Sequence, residues 1–137
     1  MQYASFWKRA LADSVDGVVL MIPVAVLVTT VALFWSDVPA RGAELLLIGF
    51  IVLHFTAWLY RAVLESSSQR ATFGKQALAL TVTDLNENQL TFGAASKRHF
   101  GKFISGFLFI GFIMAAFTSK RQGLHDMMAG ALVLEKR

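Results

Sequence analysis

Cysteine is absent from the 137 residues, which excludes disulfides, thiolate metal sites and cysteine nucleophiles together. Charge is scarce as well. Asp, Glu, Lys and Arg make up 16% of the chain, against about 25% in an average soluble domain. No HExxH pair and no GxxxxGK[ST] phosphate loop occurs, so neither metal nor enzyme chemistry has its usual spacing and no cofactor is expected. Ser66, Ser67 and Ser68 read as a polar linker where the chain leaves an apolar phase. What is abundant is hydrocarbon: 55% of the residues are hydrophobic. That balance is the balance of a membrane protein, and the length suits one domain.

A bilayer core of about 30 Å takes roughly 20 apolar residues as a helix. Gly17 to Ser36 runs without a charge. Leu45 to Tyr60 is a second such run, extended to Leu64 because Arg61 can snorkel. Phe103 to Ser119 is a third, interrupted by Gly106 and Gly111. A cleaved signal peptide fits poorly. The apolar stretch is too long, two aspartates stand at its entrance, and Val38-Pro39-Ala40 is a weak cleavage site.

The thirteen basic residues set the orientation. Lys8 and Arg9 precede the first span, and Arg41 alone lies between the first two. Six fall between Arg61 and Lys102, and Lys120, Arg121, Lys136 and Arg137 follow the third run. Lysine and arginine collect on the cytoplasmic side. The N-terminus, the 61–102 stretch and the tail therefore all read as cytoplasmic, with loop 36–44 outside. Three full crossings contradict this for the tail. A third segment that dips in and returns resolves the conflict, with Gly101, Gly106 and Gly111 allowing a bend, and a straight third span stays open.

The expected fold is an all-α membrane protein. It is a small helical bundle with two transmembrane helices, a third spanning or re-entrant segment, and a short cytoplasmic β-hairpin between segments two and three. In detail, 1–14 is an interfacial amphipathic helix, with Tyr3, Phe6, Trp7, Ala10 and Leu11 on one face, continuing into span 15–36. Span 45–64 follows. Linker 65–93 carries a short helix capped by Thr72, the strand 78–85, the turn 86–88 and a return strand 89–92. The third apolar segment covers 100–119, and 120–137 is a tail containing His125 and Asp126.

At 100° per residue, Arg9, Asp13 and Asp16 fall within about 60° of one another. A charge at mid-span costs about 2.5–3.5 kcal/mol on insertion scales, so these three must aim away from lipid and find partners. Asp13 can pair with Arg9 one turn away. Asp16 needs a partner elsewhere, water, or a proton. His125 and Asp126 are the first candidates, with His54 and Glu65 of the second span as secondary ones. The structural alternative is a clamp that locks helices together. His54 alone reads as a satisfied polar residue, and His125 is divided between packing and a pH-sensitive role. Lys97, Arg98 and His99 read as contacts to anionic headgroups rather than to nucleic acid.

Three blocks, FWKRALADSVDGVVL, ESSSQRATFGKQALALTVTDLNENQLTFG and RQGLHDMMAGALVL, resemble the RDD family of bacterial membrane proteins. The family's arginine and two aspartates map onto Arg9, Asp16 and Asp126. The resemblance covers nearly the whole chain and implies a bacterial inner-membrane location and participation in transport, some members acting as cation/proton antiporters. Two functional readings follow. One is coupled transport of an ion or small solute through an Arg9–Asp16–Asp126 network, which three short segments can enclose only as a homo-oligomer. The other is a non-transporting scaffold or accessory subunit that binds a partner protein or lipid. An interfacial lipid enzyme ranks last.

Overall fold

The computed structural model describes residues 2–34, 42–107, 114 and 117–136. Residues 35–41, with Val38-Pro39-Ala40, and most of 108–116, with Gly111, lie outside the described residues.

Helix α1 spans Phe6–Phe34 and α2 spans Gly42–Glu65. At 1.5 Å per residue, α1 is about 43 Å long. That exceeds a bilayer core, so its first turns project beyond the apolar phase as an overhang. Both helices are long and apolar enough to cross a membrane, and almost none of their apolar stretch is buried within the protein. Val18, Met21, Ile22 and Val26 of α1 and Leu46, Phe50, Ile51 and Phe55 of α2 are exposed. A helix of a soluble core would hide such side chains; a membrane helix offers them to lipid.

The other elements, one 16-residue helix apart, are short. Strand β1 is Gln2–Tyr3, α3 is Phe73–Ala77, β2 is Leu80–Asp84, α4 is Phe92–Phe107, α5 is Leu124–Ala129 and β3 is Ala131–Glu135. The three strands form one antiparallel sheet in the order β1-β3-β2. Tyr3 faces Leu134 across one ladder, and Val82 faces Val133 across the other. Ala4, Ala12, Leu80, Val82, Leu90, Ala131 and Val133 pack together as the small core of this cap.

Several expectations change here. The fold is mostly helical but not all-α. The strand at 80–84 does not pair with 89–92, where residues 89–91 are irregular and Phe92 already begins α4. It pairs with the tail, because ALVLE offers a full five-residue ladder and 89–92 does not. The helix expected over 1–14 begins at Phe6, since Gln2 and Tyr3 take the other side of the same tail strand.

Glycine serves close approach as well. A Cβ on Gly101 of α4 would stand 3.2 Å from both Cα and Cβ of His125. The absent side chain lets α5 lie directly on α4, so Gly101 marks a contact rather than the bend expected of it. Trp58 of α2 holds the other face of α4, donating its indole N–H to Ser96 Oγ at 3.0 Å and meeting Phe92 and Phe100 edgewise or tilted.

Candidate functional site

The buried residues of α1 are Arg9, Ala12, Asp16 and Leu20. Their spacing of three, four and four places them on one helical stripe. The overhang is thus largely inverted: Arg9 and Asp16 face inward, whereas Trp7, Leu11 and Val15 face outward with Lys8.

Each of the five helices described above contributes one charged residue to a continuous buried chain, Arg9–Asp126–Arg98–Glu65–Lys75. Arg9 Nη2 pairs with Asp126 Oδ2, and its Nη1 donates to the Arg121 carbonyl at 2.6 Å. Arg98 bridges the two acids. Its Nε donates to Asp126 Oδ1 and its Nη1 to Glu65 Oε2, each at 2.6 Å. Lys75 Nζ pairs with Glu65 Oε1. All five side chains are buried. Asp126 sits in the first turn of α5, where Oδ2 also accepts the Gly123 N–H at 3.1 Å. One carboxylate therefore caps a helix and pairs with two guanidinium groups.

The electrostatics follow from this packing. Burial alone would raise the Asp126 carboxyl, but Arg98 and Arg9 outweigh it and hold the group well below the usual carboxylate range. Burial would lower Arg98, and Glu65 and Asp126 raise it instead. Burial pushes His125 down to about 3; Asp126 opposes that shift, while Arg98, Lys102 and Arg9 add to it. The ring is neutral near pH 7 although Nε2 lies 3.4 Å from Asp126 Oδ1. Ser105 Oγ accepts the His125 backbone N–H at 3.1 Å and lies 3.2 Å from Nδ1.

Asp16 stands apart from this chain. Its Oδ1 accepts the Tyr60 hydroxyl and the Gly74 N–H, each at 2.8 Å, and its Oδ2 accepts the Thr72 hydroxyl at 2.5 Å. Tyr60 Oη in turn accepts the Phe73 N–H at 3.0 Å. Asp16 and Tyr60 thus capture two N–H groups at the start of α3. Thr72 precedes that helix as expected, but its hydroxyl serves Asp16 and makes no cap hydrogen bond. Asp13 does not pair with Arg9. It takes Lys102 Nζ at 2.8 and 2.9 Å, because Arg9 on the inner stripe is committed to Asp126.

Arg9 and Asp126 meet directly, and Asp16 lies in the same polar layer with different partners. Glu65 is central to the ion-pair chain. His54 is remote from it, its Nδ1 2.8 Å from the Phe50 carbonyl and its ring beside Phe103. Arg98 and His99 are buried within the protein rather than displayed on its surface as expected, Arg98 held by Asp126 and Glu65, and Lys97 alone of that trio is exposed. Sequence reasoning missed Lys75, Arg98 and Lys102 as partners. The signal was the acids themselves: buried Asp126 and Glu65 and half-buried Asp13 each call for a cation, and the 70–102 stretch supplies them. Among the described residues, no three His, Asp or Glu side chains are placed to hold a metal ion.

The pattern described as the RDD family matches residues 3–130. A protein of Bacillus subtilis (strain 168) named "Uncharacterized protein YxaI" is 30% identical over 148 aligned residues, covering 97% of this chain and 97% of that protein. No solved structure matches the chain.

Proposed function

The chain belongs to the RDD family, and from that premise we propose that it is a non-transporting membrane scaffold or accessory subunit. In this reading its family residues fasten a cytoplasmic cap onto two membrane spans. The observation that carries the reading is the saturation of the polar layer. Asp126 is shared by two arginines, Glu65 by an arginine and a lysine, and Asp16 by three donors. An arginine does not deprotonate in a protein, so a carboxylate held between two of them is a poor proton carrier.

A second reading, cation- or proton-coupled transport in a homo-oligomer, is favoured by one feature. Asp16 is fully buried and its hydrogen-bond donors are all neutral, so no arginine or lysine is hydrogen-bonded to this carboxylate. Purified protein in liposomes with an internal pH dye separates the two. The scaffold reading expects no proton flux when sodium or potassium gradients are imposed, with wild type and Asp16→Asn alike. Flux in the wild type that disappears in a folded Asp16→Asn variant establishes transport instead.

Both readings share a topology. Strand β1 leads into α1, β2 follows α2, and β3 closes the described chain, yet all three lie in one sheet. If α1 and α2 each cross once, then the N-terminus, the 66–92 segment and the tail occupy one face. The lysine and arginine distribution makes that face cytoplasmic. Because the chain lacks cysteine, Gln2→Cys and Lys136→Cys give clean labelling sites. Both are expected to react with an impermeant maleimide in inverted vesicles and not in intact spheroplasts. Labelling of the two from opposite faces overturns this topology.

A further inference from the structure

On the membrane side of the ion-pair layer, α1, α2 and α4 enclose a cavity of about 260 Å³. Its polar lining is Arg61, His99 and His54, with no carboxylate among the residues that line it. Three buried atoms in the described structure have no hydrogen-bond partner: Arg61 Nε and both ring nitrogens of His99. All three belong to residues of this one cavity. His99 is only 5% exposed. Buried polar atoms without partners are rare, and their clustering around a void marks the place of a missing partner.

Charge balance indicates what that partner brings. The layer above contains four cations, Arg9, Lys75, Arg98 and Lys102, matched by four carboxylates, Asp13, Asp16, Glu65 and Asp126. Arg61 is the cation left over, and no ion pair among the described residues includes it. The occupant must therefore carry acceptor oxygens and negative charge. Leu20, Leu53 and Phe103 supply an apolar wall, so it also carries hydrocarbon. Met21 both lines the cavity and is 61% exposed among lipid-facing side chains, which opens the mouth to the bilayer and not to the cytosol. The volume is smaller than the roughly 300–1,000 Å³ of pockets for drug-sized ligands, which suits a headgroup and not a whole lipid.

We propose that this cavity binds the phosphate of an anionic phospholipid from the inner leaflet, with Arg61 and a ring N–H of His99 donating to its oxygens. The apolar wall covers the adjoining glycerol and first methylenes. The site operates under either functional reading, since it lies below the ion-pair layer and uses none of its members.

Native mass spectrometry of the full chain in detergent tests this, with dioleoyl phosphatidic acid, dioleoyl phosphatidylcholine, oleate and inorganic phosphate as probes. One phosphatidic acid is expected to bind at least about tenfold tighter than phosphatidylcholine, the scale of one or two charge-assisted hydrogen bonds. Arg61→Gln is expected to remove that preference. A Cβ at Gly17 would meet nothing within 4 Å, so Gly17→Phe fills the cavity while leaving every ion pair in place, and it should abolish binding. Lys97→Gln, an exposed charge on α4, should change nothing. Circular dichroism and melting confirm that each variant is folded; an unfolded Arg61→Gln is replaced by Arg61→Lys, for which a reduced preference is expected. Equal affinity for the two phospholipids, undiminished binding by folded Gly17→Phe, or an equal loss in Lys97→Gln overturns the site. Oleate or free phosphate binding as tightly as phosphatidic acid overturns its assignment to a phospholipid. None of these outcomes depends on ion flux, so the site and the scaffold reading fail separately.

Discussion

Asp126→Ala is expected to destabilise the protein by about 3–5 kcal/mol, the range for removing one partner of a buried ion pair. The loss exceeds that of an ordinary core truncation because two guanidinium groups are stranded at once. Arg9 and Arg98 both point at this carboxylate, and Arg9 keeps only the Arg121 carbonyl. The start of α5 also loses the acceptor of its Gly123 N–H. Thermal unfolding in detergent, followed by circular dichroism, measures the change. A paired replacement discriminates further. Asp126→Leu combined with Arg9→Met removes both charges and leaves Arg98 with Glu65, so it should be less harmful than Asp126→Ala alone. An Asp126→Ala protein melting at the parental temperature would refute the electrostatic lock. The wild type should behave consistently in acid. The Asp126 carboxyl is depressed by Arg98 and Arg9. Its contribution is therefore complete above the unfolded value near 3.9 and is lost progressively as pH falls below it.

Gly74→Ala should be nearly as damaging, about 3 kcal/mol or more, through a different mechanism. Helix α3 lies so close on α1 that an added Cβ would collide with the Ala12 carbonyl and stand 2.9 Å from Asp16 Cγ. The obstacle is backbone, which cannot rotate aside. Relief requires α3 to lift away, breaking the Gly74 N–H bond to Asp16 and loosening the Thr72 and Tyr60 contacts. Overpacking of about 1–3 kcal/mol is then compounded by a lost charge-assisted hydrogen bond. Gly93→Ala is the control. That glycine lies in α4 with nothing within 4 Å of a new Cβ, so alanine there should be neutral or stabilising by up to about 1 kcal/mol. Equal melting temperatures for the Gly74 and Gly93 variants would mean that the α1–α3 approach is not as tight as described.

The scarcity of charge and the two long apolar runs determined by themselves that α1 and α2 are membrane helices, because solvent transfer alone decides where such segments reside. The inward stripe of Arg9 and Asp16 was also legible, since 3.6-residue periodicity is local. Identity of partners was not. Lys75, Arg98 and Lys102 look like surface charge in sequence, and burial is a property of the assembled bundle. Residues 131–135 looked like an apolar tail, yet strand pairing depends on what lies beside a segment, and β1 and β2 come from near residues 2 and 82. The family resemblance already put Arg9 and Asp126 in one network, and they meet across 117 positions; tertiary structure alone decided that Arg98 shares that carboxylate while Asp16 turns to Tyr60, Thr72 and Gly74. The physical reason is desolvation: a buried charge accepts whichever counter-charge or donor the packing brings within about 3 Å, and sequence separation does not enter that energy.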